Sequence, residues 1–137
     1  MKIRKSKFDN THTCIFLSDE DEKYASLKPS FKKHGLAFKK DKYIFFDKTE
    51  LEKKGYFKKS YIYFIEAHEV AHSELGHVQS TPLVEAEADF LAVLLCKEKN
   101  LKNSAKIGIS QFKNRHKIDF ENFSKKYKES VLKKIKK

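Results

Sequence analysis

A mainly helical α+β fold is what this sequence predicts, and three observations carry that reading. From about Phe57 to Leu75 the chain has no Gly or Pro and crowds apolar residues onto most faces, as a buried helix does. A second run of the same kind, Leu83 to about Lys97, follows Ser80-Thr81-Pro82. Ahead of both, Lys42-Tyr43-Ile44-Phe45-Phe46-Asp47 is β-branched and aromatic between charges, the pattern of a short strand.

The 137 residues fit a single domain large enough for a real core. That core is expected over about residues 40–100, with 101–137 as a C-terminal helical extension. An apolar content of 39%, with twelve Phe and six Tyr, favours a packed globule over a disordered chain. Two isolated cysteines, Cys14 and Cys96, form neither a CxxC nor a disulfide framework and fit a reducing compartment. The apolar run Cys14–Leu17 after the basic N-terminus is too short for a signal peptide, and no stretch reaches the roughly 20 apolar residues of a membrane span. A soluble, cytoplasmic protein is expected, with no membrane partner. The formal charge of +11 would suit a nucleic-acid partner met through a basic surface. Against this, Arg4 and Arg115 are the only arginines, and phosphate and base recognition favour the arginine fork. Lysines that merely solvate the surface are the simpler reading.

In chain order, the first forty residues are the least legible. Acidic Asp19–Glu22 interrupts a basic stretch, Pro29 and Gly35 act as breakers, and a helix is expected within Lys28–Leu36. Gly35–Phe38 can pair with the Lys42–Asp47 strand as a hairpin turning through Lys39–Lys42. The long helix to Leu75 stops at Gly76, which suits a left-handed cap. Thr81 is the expected N-cap of the next helix, with Pro82 in its first turn. A short helix over Asn103–Lys106, a turn at Gly108-Ile109-Ser110 and a helix from Gln111 to His116 are expected next. Phe120, Phe123, Tyr127, Val131 and Ile135 recur at three- or four-residue spacing, predicting an amphipathic basic helix packed on the core.

The chemistry-bearing segment is His68-Glu69-Val70-Ala71-His72, an H-E-x-x-H near the end of the first long helix. Histidines four apart lie one turn apart on one helix face, so both imidazoles can reach one metal ion. Glu69 between them can take a proton from a metal-bound water and is the expected general base. A catalytic zinc site commonly needs a third protein ligand. The three-histidine pattern would require glycine at position 75 and histidine at 78, where the chain has Leu75 and Val78. A carboxylate from the next helix is the alternative. Glu85 and Asp89 share a face of an otherwise apolar helix, where buried acids are costly unless paired or metal-bound. Glu85 is therefore expected as the third metal ligand. Asp89 is expected as the acceptor for the outer N–H of a ligand histidine. Glu87, on another face, is the weaker ligand choice. His77 reads as a cap or as support behind the ligands; His12, His34 and His116 read as structural or exposed, Glu74 as solvated, and Cys96 as a core residue. Tyr61, Tyr63 and His77 are open choices for a partner to the developing oxyanion. His and carboxylate ligands suit several divalent ions, Zn(2+) being the expected one.

With these motifs in place, the chain resembles the ImmA/IrrE family of zinc metallopeptidases. The likeness runs from about Tyr43 to His116 and rests on EAHEVAHSELGH, then EAEADFLAVLL, then SAKIGISQFKNRH, which has a helix-turn-helix flavour. The resemblance implies a small zincin-like domain, with family ligands falling on His68, His72 and Glu85 and the general base on Glu69. Leu91 stands where phenylalanine is usual, and Cys96-Lys97 replaces a frequent Met-Pro. The resemblance also implies a protein substrate: site-specific cleavage of a helix-turn-helix, DNA-binding repressor of a phage, mobile element or stress operon. Two other readings compete, a zinc-binding module without catalysis and a basic DNA-binding regulator acting through Ser104–His116 and the tail.

Overall fold

Alternation along two short strands builds the sheet from which the site-bearing helix hangs. The computed structural model describes residues 1–135. Its elements are β1 (Lys2–Lys5), β2 (Thr13–Leu17), α1 (Glu22–His34), β3 (Ala37–Lys40), β4 (Tyr43–Asp47), α2 (Lys48–Lys53), α3 (Lys59–Glu74), α4 (Pro82–Glu98), α5 (Lys102–His116) and α6 (Phe120–Lys134). The four strands form one sheet in the order β1-β2-β4-β3. The β2/β4 pair is parallel, with Cys14 opposite Ile44 and Phe16 opposite Phe46, and both outer pairs are antiparallel. The fold class is α+β and mainly α, as the sequence predicts.

Period-2 side chains split the sheet into two faces. Cys14, Phe16, Ile44 and Phe46 point one way and pack against Ile62 and Val70 of α3. Leu17 and Phe38 point the other way and are covered by Tyr24 and Phe31 of α1. Phe16 and Phe46 stack with ring centroids 4.6 Å apart, a cross-strand aromatic pair of the kind that stabilises a sheet. The larger core is all helical: α4 is buried nearly all round, and Phe90, Phe112, Phe120 and Phe123 from three helices close over it.

The hairpin of β3 and β4 forms as expected, with Asp41 in the left-handed region (φ 56°) at its turn. Gly76 ends α3 at φ 66°, and Thr81 caps α4 by accepting from the Val84 amide at 3.1 Å. Two expectations are corrected, the start of the first helix and the break at Gly108, and other elements were not foreseen. The first forty residues hold three of the sheet's four strands as well as a helix. That helix begins at Glu22, six residues before the expected start, and runs through Pro29. Ala25, whose carbonyl loses its N–H partner to the proline, is exposed to water, which makes the proline tolerable there. The short α2, capped by the Asp47 carboxylate accepting from Glu50 N, has no counterpart in the sequence reading. Finally, residues 102–116 form one continuous helix rather than helix, turn and helix. Gly108 is a contact point in it: a Cβ there would lie 2.5 Å from Phe64 and 2.6 Å from Val93. Glycine lets α5 lie against α3 and α4. The same continuity leaves no helix-turn-helix within Ser104–His116. No described helix is long and apolar enough to cross a membrane.

Candidate metal centre

Helix α3 sets His68 and His72 one turn apart, and α4 packs beside it to deliver Glu85 and Asp89. The Nε2 atoms of His68 and His72 lie 3.1 Å apart. The Glu85 carboxylate approaches them at 3.3 and 3.4 Å. One donor atom from each of the three residues falls within 4.8 Å of the others, so His68, His72 and Glu85 form one group able to hold a metal ion. Glu69 lines the same open cleft, of about 450 Å³, together with Lys33, Lys39 and His77.

Each histidine is held from behind, and the holding group sets its tautomer. His68 Nδ1 donates to Asp89 Oδ1 at 2.7 Å, which turns its Nε2 toward the cleft. His72 is held through a longer chain. Gly76 turns the backbone so that the His77 N–H bonds the His72 carbonyl at 3.0 Å, and this folds the His77 ring back beside that of His72. His77 Nε2 donates to Glu87 Oε1 at 3.0 Å, so its Nδ1 is the acceptor for His72 Nδ1–H, also at 3.0 Å. His72 Nε2 therefore also faces the cleft as a lone pair. The Nε2 atoms of two imidazoles and a carboxylate converge on one point, where a cation, or a proton carried by His68, can bridge them.

Both chains end on the C-terminal helices. Asp89 is met at Oδ2 by His116 Nε2 at 2.5 Å and by Arg115 Nε at 3.0 Å, both from α5. Glu87 Oε2 is met by Lys134 of α6 at 2.6 Å. Among the described residues no buried side-chain nitrogen or oxygen lacks a partner, so these buried acids are fully paired.

The electrostatics follow from this network. Burial opposes charge on His68, but hydrogen bonds to Asp89 and Glu85 outweigh it and raise its pKa to about 10. Hydrogen bonds to His68 and His72 hold the Glu85 carboxyl well below the usual carboxylate range. Asp89 is likewise lowered: burial acts against it, and His116 and His68 prevail. Glu69 moves the other way, raised by burial although both ligand histidines pull it down, which makes it a stronger base than a solvated glutamate.

His68, Glu69, His72 and Glu85 thus gather in one cleft, with Asp89 directly behind His68. Glu87 does not face the cleft group; it supports His77. His77 has both ring nitrogens engaged. Tyr61 and Tyr63 lie elsewhere: Tyr61 stacks on Tyr56 and accepts from Gln111, and Tyr63 sits under Arg4 and Lys7. His116, read from sequence as structural or exposed, is part of the Asp89 network. No local signal marks it, because the rest of α4, the turn after it and the whole of α5 must fold before it meets Asp89. His12 is fully buried between Asp9 and Ser73, His34 is exposed, and Cys96 is in the core.

Comparison with models of known protein families, with curated proteins and with solved structures finds no match to this chain in any of the three.

Proposed function

We propose that this chain is a zinc-dependent metallopeptidase, acting in the cytoplasm on a protein substrate. The observation that carries the reading is the convergence of two oriented Nε2 atoms and the Glu85 carboxylate, with Glu69 beside them in an open cleft. Two histidines and a glutamate are a donor set suited to catalytic zinc. Zinc held there would supply a Lewis acid and an acidified water. Glu69 takes the water's proton on its carboxylate and returns it to the leaving amine. Asp89 and the His77–Glu87 pair keep both imidazoles in the liganding tautomer throughout. The non-catalytic alternative needs a fourth protein ligand, and His77, the histidine beside His72, has both ring nitrogens engaged.

The cleft also suits an extended peptide. Strand β3 is the outer strand of the sheet on the cleft side, paired among the described residues with β4 only, and Ala37, Phe38 and Lys39 line the cleft. Its free edge offers backbone donors and acceptors to a substrate strand. The likeness to the ImmA/IrrE family supports a DNA-binding repressor as the substrate and a regulatory outcome to the cleavage.

The test combines metal analysis with two substitutions. Wild-type protein should bind one zinc; Glu69→Gln should keep it and lose peptide hydrolysis by about 10²-fold or more, and His68→Ala should lose both. Parental cleavage by zinc-loaded Glu69→Gln, or a wild type that binds no divalent metal, would end the proposal.

A further inference from the structure

A second groove, of about 790 Å³, adjoins the metal cleft on the side away from β3. Ser80 and Glu85 line both, so the Glu85 side chain is the sill between them. The groove is walled by Leu83, Ile118, Phe123 and Tyr127, with Arg115 and Lys117 at its margin. Leu83 is 44% exposed and joins Ile118, Phe123 and Tyr127 in one contiguous apolar wall. Arg115 uses its Nε on Asp89, and its side chain is partly exposed. Across the sill, Lys33 and Lys39 line the metal cleft. Among the described residues none of Lys33, Lys39 and Lys117 has a carboxylate partner.

From this arrangement we infer the substrate class: an extended segment with a large apolar residue that seats between Leu83 and Tyr127, flanked on both sides by acidic residues. The inference rests on the peptidase reading and specifies what that site selects. An extended chain advances roughly 3.3 Å per residue, so a peptide crossing Glu85 places a side chain over the groove within a few residues of the metal site. The groove lies within the roughly 300–1,000 Å³ typical of ligand pockets and exceeds one side chain, so it admits the apolar residue together with its neighbours. Unpaired cations at both ends of the path complement acids on either side of that residue, and the charge of +11 adds long-range attraction.

Binding can be read without turnover by using the full chain carrying Glu69→Gln, loaded with zinc. The probes are short fluorescein-labelled Gly-Ser peptides with a central Glu-Glu-Phe-Glu-Glu, its Lys-Lys-Phe-Lys-Lys counterpart and a Glu-Glu-Ala-Glu-Glu counterpart, followed by anisotropy. The acidic Phe peptide should bind about tenfold or more tighter than either control. Leu83→Ala should erase most of the Phe-over-Ala preference. Lys117→Glu should weaken the acidic peptide about three- to tenfold, whereas Lys23→Glu, the same charge change on the outer face of the sheet, should not. Equal affinity for the three peptides, or equal effects of Lys117→Glu and Lys23→Glu, would overturn the inference. Wild-type protein separates it from the parent reading. Cleavage of all three peptides without preference keeps the hydrolase and removes the substrate class. The expected binding preferences with no cleavage of any peptide by zinc-loaded wild type keep the recognition surface and remove the hydrolase.

Discussion

His77 Nδ1 lies 3.0 Å from His72 Nδ1, so one histidine of the H-E-x-x-H leans on another histidine and not directly on a carboxylate. The carboxylate is one step further out, at Glu87, and it is paired in turn with Lys134. His68 has the shorter arrangement, ring to Asp89 directly. The two ligand histidines are thus oriented by unlike chains, and the longer one reaches the last turn of α6.

That chain predicts a metal-affinity loss at a residue distant from the cleft. In Glu87→Gln the amide can still accept from His77, but the negative charge that stabilises the relay is gone and Lys134 loses its partner. Zinc affinity should fall by about tenfold or more, and Asp89→Asn should act similarly through His68. Chelator competition on the purified variants measures both. Wild-type affinity in Glu87→Gln would show that His72 does not depend on this support.

Glu66 predicts a stability effect on the same helix. Its carboxylate is fully buried and accepts from Arg4 Nη2, Ser6 Oγ and the Lys7 amide, each at 2.7 Å. It ties the end of β1 to α3 two residues before His68. Glu66→Ala strands those donors and should cost about 3–5 kcal/mol, against about 1 kcal/mol for Ser6→Ala. Urea unfolding of the two variants checks the ratio; similar small losses would mean that water replaces the carboxylate.

Gly108→Ala separates propensity from packing. In an exposed helix the change would stabilise by about 1 kcal/mol. Here the new methyl meets Phe64 and Val93 at 2.5 and 2.6 Å, so a net loss of about 1–3 kcal/mol is expected. Phe64→Leu in the same chain should recover part of it. Thermal melts that show a rise for Gly108→Ala alone would contradict the close packing.

Gly108 also shows where the sequence stops being legible. A glycine inside a helical pattern reads as punctuation, because its close approach to other helices is not written locally. The H-E-x-x-H and the Glu85/Asp89 pair were legible because helical periodicity places them, and each acid stands out on an apolar surface. The roles of His116 and Lys134 were not, since their partners Asp89 and Glu87 lie 27 and 47 residues away in sequence. Strand β1 was hidden for another reason: Lys2–Lys5 is an edge strand of charged, mostly exposed residues, and its pairing with Thr13–Leu17 supplies the order its composition lacks.

The cysteines give a test of whether the metal group is confined to His68, His72 and Glu85. Cys14 and Cys96 have no exposed surface, and burial first, with Glu66 adding to it, pushes both thiols up to about 12. At pH 8, some four units below, only about one thiol in ten thousand is the reactive thiolate, and reagent reaches it only when the fold opens. Iodoacetamide should leave both unmodified in native buffer and label both in guanidinium. Because Cys14 packs in the sheet core and Cys96 in the helical core, neither faces the cleft. Stripping metal with a chelator should then leave the labelling unchanged so long as the fold persists, with far-UV circular dichroism as the control. Selective labelling of Cys96 in stripped but folded protein, read by mass spectrometry, would bring that thiol into the metal shell and redraw the site.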